Sequence, residues 1–158
     1  GGSRKGAKLA KRGQPAEDSF LAPLHLSVRN KMNENEIATI VVDRAVHIHR
    51  NLGPGLLESV YQAVLAHELR CGGLLVATEV PVPVEWETVR MEVGFRADLI
   101  VAGLVIIELK SLEVVAPVHK KQLLTYLRLA DKRLGLLLNF GAELMRDGIW
   151  RIVNGLKE

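Results

Sequence analysis

The octapeptide Arg133–Phe140, RLGLLLNF, constrains this chain more than any other segment. Its apolar residues run on without alternation, the pattern of a strand covered on both faces. A strand buried in that way needs a layer of structure on each side of its sheet. A second run, Val105–Ser111 (VIIELKS), starts in the same manner but carries Glu108 and Lys110 two positions apart. Residues two apart in a strand share a face. Burying either charge alone is costly, so the two form either a neutralising couple or a site.

Around these runs the chain alternates helical and strand patterns. Ile37, Ile40, Val41, Arg44, Ala45 and Ile48 recur at helical spacing behind Asn33 or Asn35, either of which can cap a helix. Gly53, Pro54 and Gly55 end it, and a second helix is expected from about Leu56 to Cys71, closed by Gly72-Gly73. LLVATEVPVPVEWE reads as a strand, and Pro81 and Pro83 place it at a sheet edge. Val89–Phe95, Arg96–Val101 and Leu104–Leu109 read as three further strands, with Ala102-Gly103 turning between the last two. Pro117 opens a helix to Ala130, and GIWRIVN closes the chain as a short strand. The order α-α-β-β-β-β-α-β-β predicts a single α/β domain with a mixed sheet.

The 158 residues carry a formal charge of +3, but unevenly. Residues 1–31 hold seven basic residues against Glu17 and Asp18, a net +5, while the remainder has 14 basic and 16 acidic residues, a net −2. We expect a basic, flexible N-terminal extension over residues 1–31, a solubilising segment rather than a nucleic-acid arm, and a folded domain over 32–158. Deleting the extension should leave the thermal midpoint nearly unchanged. No apolar run approaches the ~20 residues that span a membrane, and the first residues lack the apolar core of a secretory signal. The lone Cys71 excludes an internal disulfide and a cysteine-based zinc site. A reducing, cytoplasmic setting is the expectation.

Asp98 lies ten residues before Glu108. An odd-numbered hairpin loop, such as residues 102–104, sets the two acids opposite each other, whereas a two-residue loop sends Asp98 to the other face. Two neighbouring carboxylates repel unless a cation bridges them, and a hard cation with oxygen ligands, above all Mg²⁺, suits them. A plain salt bridge of Lys110 with one carboxylate is the competing reading. Glu58 opens the second helix three residues before Tyr61, and an exposed first-turn glutamate favoured by the helix dipole would explain it equally. His119, Gln122 and Tyr126 form a polar stripe on an otherwise apolar helix, beside Lys120 and Lys121, which could touch a phosphate backbone or simply be solvated. His47 and His49 cannot share a helical face, so no metal pair is expected there; His47 is a weak candidate for a supporting role. Asn139 is expected to turn or cap the chain, and Trp86 and Trp150 to pack in the core or at an edge.

Asp98, then Glu108-x-Lys110, then Gln122-x-x-x-Tyr126, resembles the PD-(D/E)xK nuclease superfamily. GPGLLESVY, VPVPVEW, FRADLIV, VIIELKS, QLLTYL and GLLLNFG together resemble the small bacterial GxxExxY family within it, from about Glu36 to Val153. The resemblance implies a restriction-endonuclease-like core, a mixed central sheet flanked by helices. It implies that Glu58, Asp98 and Glu108 converge on Mg²⁺, with Mn²⁺ as a substitute, and that Lys110 and Gln122 sit beside the reacting phosphate; Tyr126, Lys120 and Lys121 are the candidate substrate contacts. Ala97 stands where the superfamily's name has proline, a position without a chemical role.

The expected activity is metal-dependent hydrolysis of phosphodiester bonds in nucleic acid, DNA foremost. The alternative is a non-catalytic nucleic-acid- or protein-binding module that keeps the nuclease fold, self-associated or in a larger complex. The net −2 of residues 32–158 favours that alternative, since DNA-binding domains commonly display a basic surface.

Overall fold

The computed structural model describes residues 31–157, so the N-terminal extension, apart from Lys31, lies outside the described residues. Helix α1 (Glu34–Leu52) starts at a capping box. The Asn33 side chain accepts from the Glu36 amide at 2.9 Å, and Glu36 accepts from the Asn33 amide at 3.0 Å. Such a cap is worth about 1 kcal/mol. Helix α2 (Glu58–Cys71) follows the Gly-Pro-Gly break. Strands β1 (Val76–Trp86), β2 (Val89–Val101) and β3 (Val105–Lys110) form an antiparallel meander. Helix α3 (Pro117–Leu129), with proline in its first turn, crosses over to β4 (Leu134–Asn139), which pairs parallel to β3. A 3₁₀ turn (Met145–Gly148) leads into β5 (Ile149–Val153), antiparallel to β4.

The sheet order is β1-β2-β3-β4-β5. Side-chain alternation divides its apolar residues between two layers. Val105, Ile107, Leu109, Leu134, Leu136 and Leu138 pack with Ile37, Val41, Tyr61 and Leu65 of α1 and α2. Ile106 and Leu137 pack with Leu123 and Leu127 of α3. All six residues of β4 are buried, as its unbroken apolar run requires. The prolines of β1 do sit on an edge strand. This mixed sheet between two helices and one is a restriction-endonuclease-like core. No helix among the described residues is long and apolar enough to cross a membrane.

Two expectations fail. Val89–Val101 is a single 13-residue strand, not two. The change at Arg96 marks where β2 passes from an exposed arm into the core, since Val89–Gly94 are exposed and Phe95, Ala97, Leu99 and Val101 are buried. A register shift between Val82 and Val84 accompanies the passage. Trp86 lies on that arm, paired with Val89, and is 73% exposed rather than packed.

Candidate active site

The β2–β3 hairpin decides how the acidic residues meet. Its registered pairs are Val101 with Val105, Ile100 with Ile106 and Leu99 with Ile107, around the loop 102–104. Ala102 and Gly103 both have positive φ, 52° and 67°, which lets the chain reverse tightly. This odd-numbered loop is the one that sets Asp98 opposite Glu108. The registered pairing stops at Leu99 and Ile107, and beyond it carboxylates take up the backbone donors. The Leu109 amide donates to Asp98 Oδ2 at 2.8 Å, and the Asp98 amide donates to Glu108 Oε1 at 3.3 Å. Strand β3 stays paired with β4 as far as Lys110 and Asn139. The two acids therefore occupy a gap between one strand that leaves the ladder and one that remains in it.

Both carboxyls are half-buried, and no arginine among the described residues forms an ion pair with them. Burial, then the charge of Asp98, pushes the Glu108 carboxyl up to about 8, and Lys110 only partly offsets this. Burial also raises Asp98, with the charges of Glu79 and Glu58 adding to it, against hydrogen bonds from Leu109 and Glu108. Each carboxyl also accepts a backbone amide from across the hairpin, so the two acids are held close together. Two acids competing for one proton have a ready place for a cation.

An open cavity of about 530 Å³ adjoins Asp98, lined by Leu56, Leu57, Glu58, Ser59, Gln62, Glu79 and Ser111. Glu58, the first residue of α2, is thus brought to the side of Asp98. Glu79 was not singled out from the sequence. It interrupts β1 opposite Asp98 at φ 50°, and its carboxylate accepts from the Gln62 amide at 2.8 Å. A glutamate in an ordinary strand pattern carries no mark of such a backbone irregularity.

Lys110 is half-buried and closes no ion pair with a described carboxylate, which sets aside the plain salt bridge. Gln122 is exposed on α3 and hydrogen-bonds with Tyr126. Tyr126 stacks on Phe95 at 3.8 Å between ring centroids. Burial and the charges of Glu108 and Asp98 hold its phenol above the ordinary range. The Lys120 ammonium sits over the Trp150 ring at 4.6 Å, and Lys121 is exposed. The stripe also contains His119, whose buried Nδ1 has no partner among the described residues. His49, not His47, points inward, and its Nε2 meets the Ala142 carbonyl at 2.8 Å, away from the acids. Asn139 does brace a turn, hydrogen-bonding both backbone groups of Leu112.

Among the described residues, no group of three or more His, Cys, Asp or Glu could by itself hold a metal ion. Mg²⁺ commonly takes one or two protein carboxylates and completes its shell with water and substrate phosphate. The Asp98–Glu108 pair, hard in its oxygen donors and strained by its own repulsion, fits that mode.

The match to a family model agrees with this architecture. The family model of the PD-(D/E)XK nuclease superfamily matches residues 35–152. No curated protein matches the sequence. The crystal structure of SSO0001 is similar at 22% identity over 89% of this chain and 79% of that one, with a TM-score of 0.39. With the superfamily match spanning well over half of its length, the chain belongs to the PD-(D/E)XK nuclease superfamily.

Proposed function

We propose that the chain is a Mg²⁺-dependent nuclease that hydrolyses phosphodiester bonds in DNA. The observation that carries this reading is the Asp98–Glu108 pair, two half-buried carboxyls set opposite each other where β2 leaves β3, each accepting a backbone amide of the facing strand. Asp98 and Glu108 would hold the cation, and Glu58, which lines the adjoining cavity, would approach it as a third carboxylate. A bound Mg²⁺ would polarise the scissile phosphate and lower the pKa of an attacking water. Lys110 shares the strand face of Glu108 and pairs with no described carboxylate, so its ammonium can meet a phosphate oxygen or orient the water. Gln122 and Tyr126 approach from α3, and Tyr126 lies close enough to the acids for their charge to disfavour its ionisation. Lys121 is exposed for backbone contact, while Lys120 reaches substrate only by leaving Trp150.

The test is cleavage of single-stranded DNA, double-stranded DNA and RNA with Mg²⁺ or Mn²⁺, with Glu108→Gln as control. Metal-dependent cleavage of DNA that the control lacks supports the reading, and no cleavage with either metal sinks it. The assembly module remains as a second reading because the distal β1–β2 hairpin exposes Trp86, Val89 and Met91 together. Self-association in a sedimentation experiment, combined with metal-blind behaviour, would favour it.

A further inference from the structure

We propose that Tyr61 and Ser111 are positioning residues that clamp the Leu56 peptide groups and so hold Glu58 beside Asp98. The inference rests on the nuclease reading and concerns how its third carboxylate is placed. Helix α2 needs such a device. Its N-cap residue, Leu57, provides no side-chain hydrogen bond, and the preceding residues Pro54–Leu57 are all exposed. An uncapped first turn frays, and Glu58 is the first residue of that turn.

The clamp acts from two sides. The Tyr61 hydroxyl accepts from the Leu56 amide at 3.2 Å and donates to the Gly53 carbonyl at 2.5 Å. Ser111 Oγ donates to the Leu56 carbonyl at 2.6 Å, across 55 positions of sequence. Leu56 is thus gripped at both its N–H and its C=O, two residues before Glu58. Each jaw is anchored in the core. The Tyr61 ring is fully buried and stacks on Phe140 at 4.4 Å. Ser111 directly follows Lys110, and its neighbour Leu112 is fastened by buried Asn139, which donates to the Leu112 carbonyl and accepts from its amide, both at 2.9 Å. Asn139 Oδ1 also accepts from Gly141 N at 3.1 Å, and a Cβ on Gly141 would collide with the Leu112 backbone. A continuous series of contacts therefore runs from the strand end bearing Glu108 and Lys110 to the loop that presents Glu58.

Tyr61→Phe keeps the ring stack and removes the hydroxyl, and Ser111→Ala removes the other jaw. Both are compared with wild type in the 158-residue chain, alone and in a Glu58→Gln background, by Mn²⁺ titration calorimetry. Amide exchange at Leu56 is followed without metal. Each variant should speed exchange at Leu56 and weaken Mn²⁺ binding about 10- to 100-fold, the usual effect of losing an outer partner of a ligand. Ser111→Thr, which keeps a hydroxyl, should restore binding. In the Glu58→Gln background neither variant should weaken Mn²⁺ further, because the residue they position is no longer a carboxylate. Equal losses in both backgrounds, or unchanged exchange at Leu56, would overturn the clamp while leaving the nuclease reading intact. A wild type that binds no Mn²⁺ would overturn the nuclease reading, and the positioning role with it.

Discussion

Two acidic sites among the described residues are drawn away from solvent, and they are handled in opposite ways. Glu34, in the first turn of α1, is only 4% exposed and meets Arg133 at the start of β4, with Nε at 2.9 Å and Nη2 at 2.7 Å from one carboxylate oxygen. Burial works against its ionisation. Its own backbone amide and the Arg133 guanidinium outweigh that cost and leave its pKa below the ordinary range. Asp98 and Glu108 are half-buried, yet the charges of described residues that act on them are mostly further acids, and both pKa values rise. The Glu34 pair carries its own cation and is complete as a structural link. The Asp98–Glu108 pair is neutralised only when a proton or a cation comes from outside, which is what the proposed metal site requires.

The largest expected effect follows from supplying that neutrality by mutation. Asp98→Asn and Glu108→Gln should reduce metal-dependent cleavage by more than the about 10- to 100-fold that losing an outer partner costs. Melting curves should show the Mn²⁺ stabilisation of the wild type vanish in both variants, while metal-free stability holds or rises as repulsion is relieved. A variant that keeps the metal response would break the comparison.

The two basic partners sharpen it next. Arg133→Ala strands Glu34 and should cost about 1–3 kcal/mol in urea denaturation, with metal binding untouched. Lys110→Ala breaks no ion pair with a described carboxylate and should cost less than about 1 kcal/mol. It should nevertheless abolish cleavage while Mn²⁺ still binds. The reverse order of stability losses would show that Lys110, and not Arg133, is the structural cation.

A smaller effect appears in pH. The folded Asp98–Glu108 pair binds protons that the unfolded chain has already released between the ordinary carboxylate range and about 8. Metal-free stability should therefore fall as pH rises through that window, by up to about 1.4 kcal/mol per pH unit. Glu34 has the opposite sign. Its folded pKa is lowered, so its contribution is present above the unfolded pKa and is lost as pH falls through the folded one. Glu108→Gln should flatten the slope on the alkaline side and Arg133→Ala the one on the acid side, as denaturation midpoints across pH would show.

Much of the fold was legible because its signals are local. The Gly-Pro-Gly break, the proline at the start of α3 and the unbroken apolar run of β4 each act within a few residues and appear where expected, and of the two candidate caps the structure uses Asn33. The division of β2 into two strands was misplaced because exposure of its first half depends on how far the hairpin reaches beyond the core. The strand parity of Glu108 and Lys110 was likewise readable, and the loop length that brings Asp98 opposite Glu108 was one of two open choices.

By itself the sequence determined which residue types could meet, since strand parity and helix spacing are geometric properties of short stretches. Tertiary structure alone decided which of them do. It set the Glu79 irregularity opposite Asp98, turned His49 rather than His47 inward, and joined Ser111 to Leu56 across 55 positions. It also gave Glu34 an arginine 99 positions away, while no described arginine pairs with Asp98 or Glu108. The reason is physical. A buried charge takes its energy from whatever surrounds it in space, and those neighbours come from distant parts of the chain that no local pattern encodes.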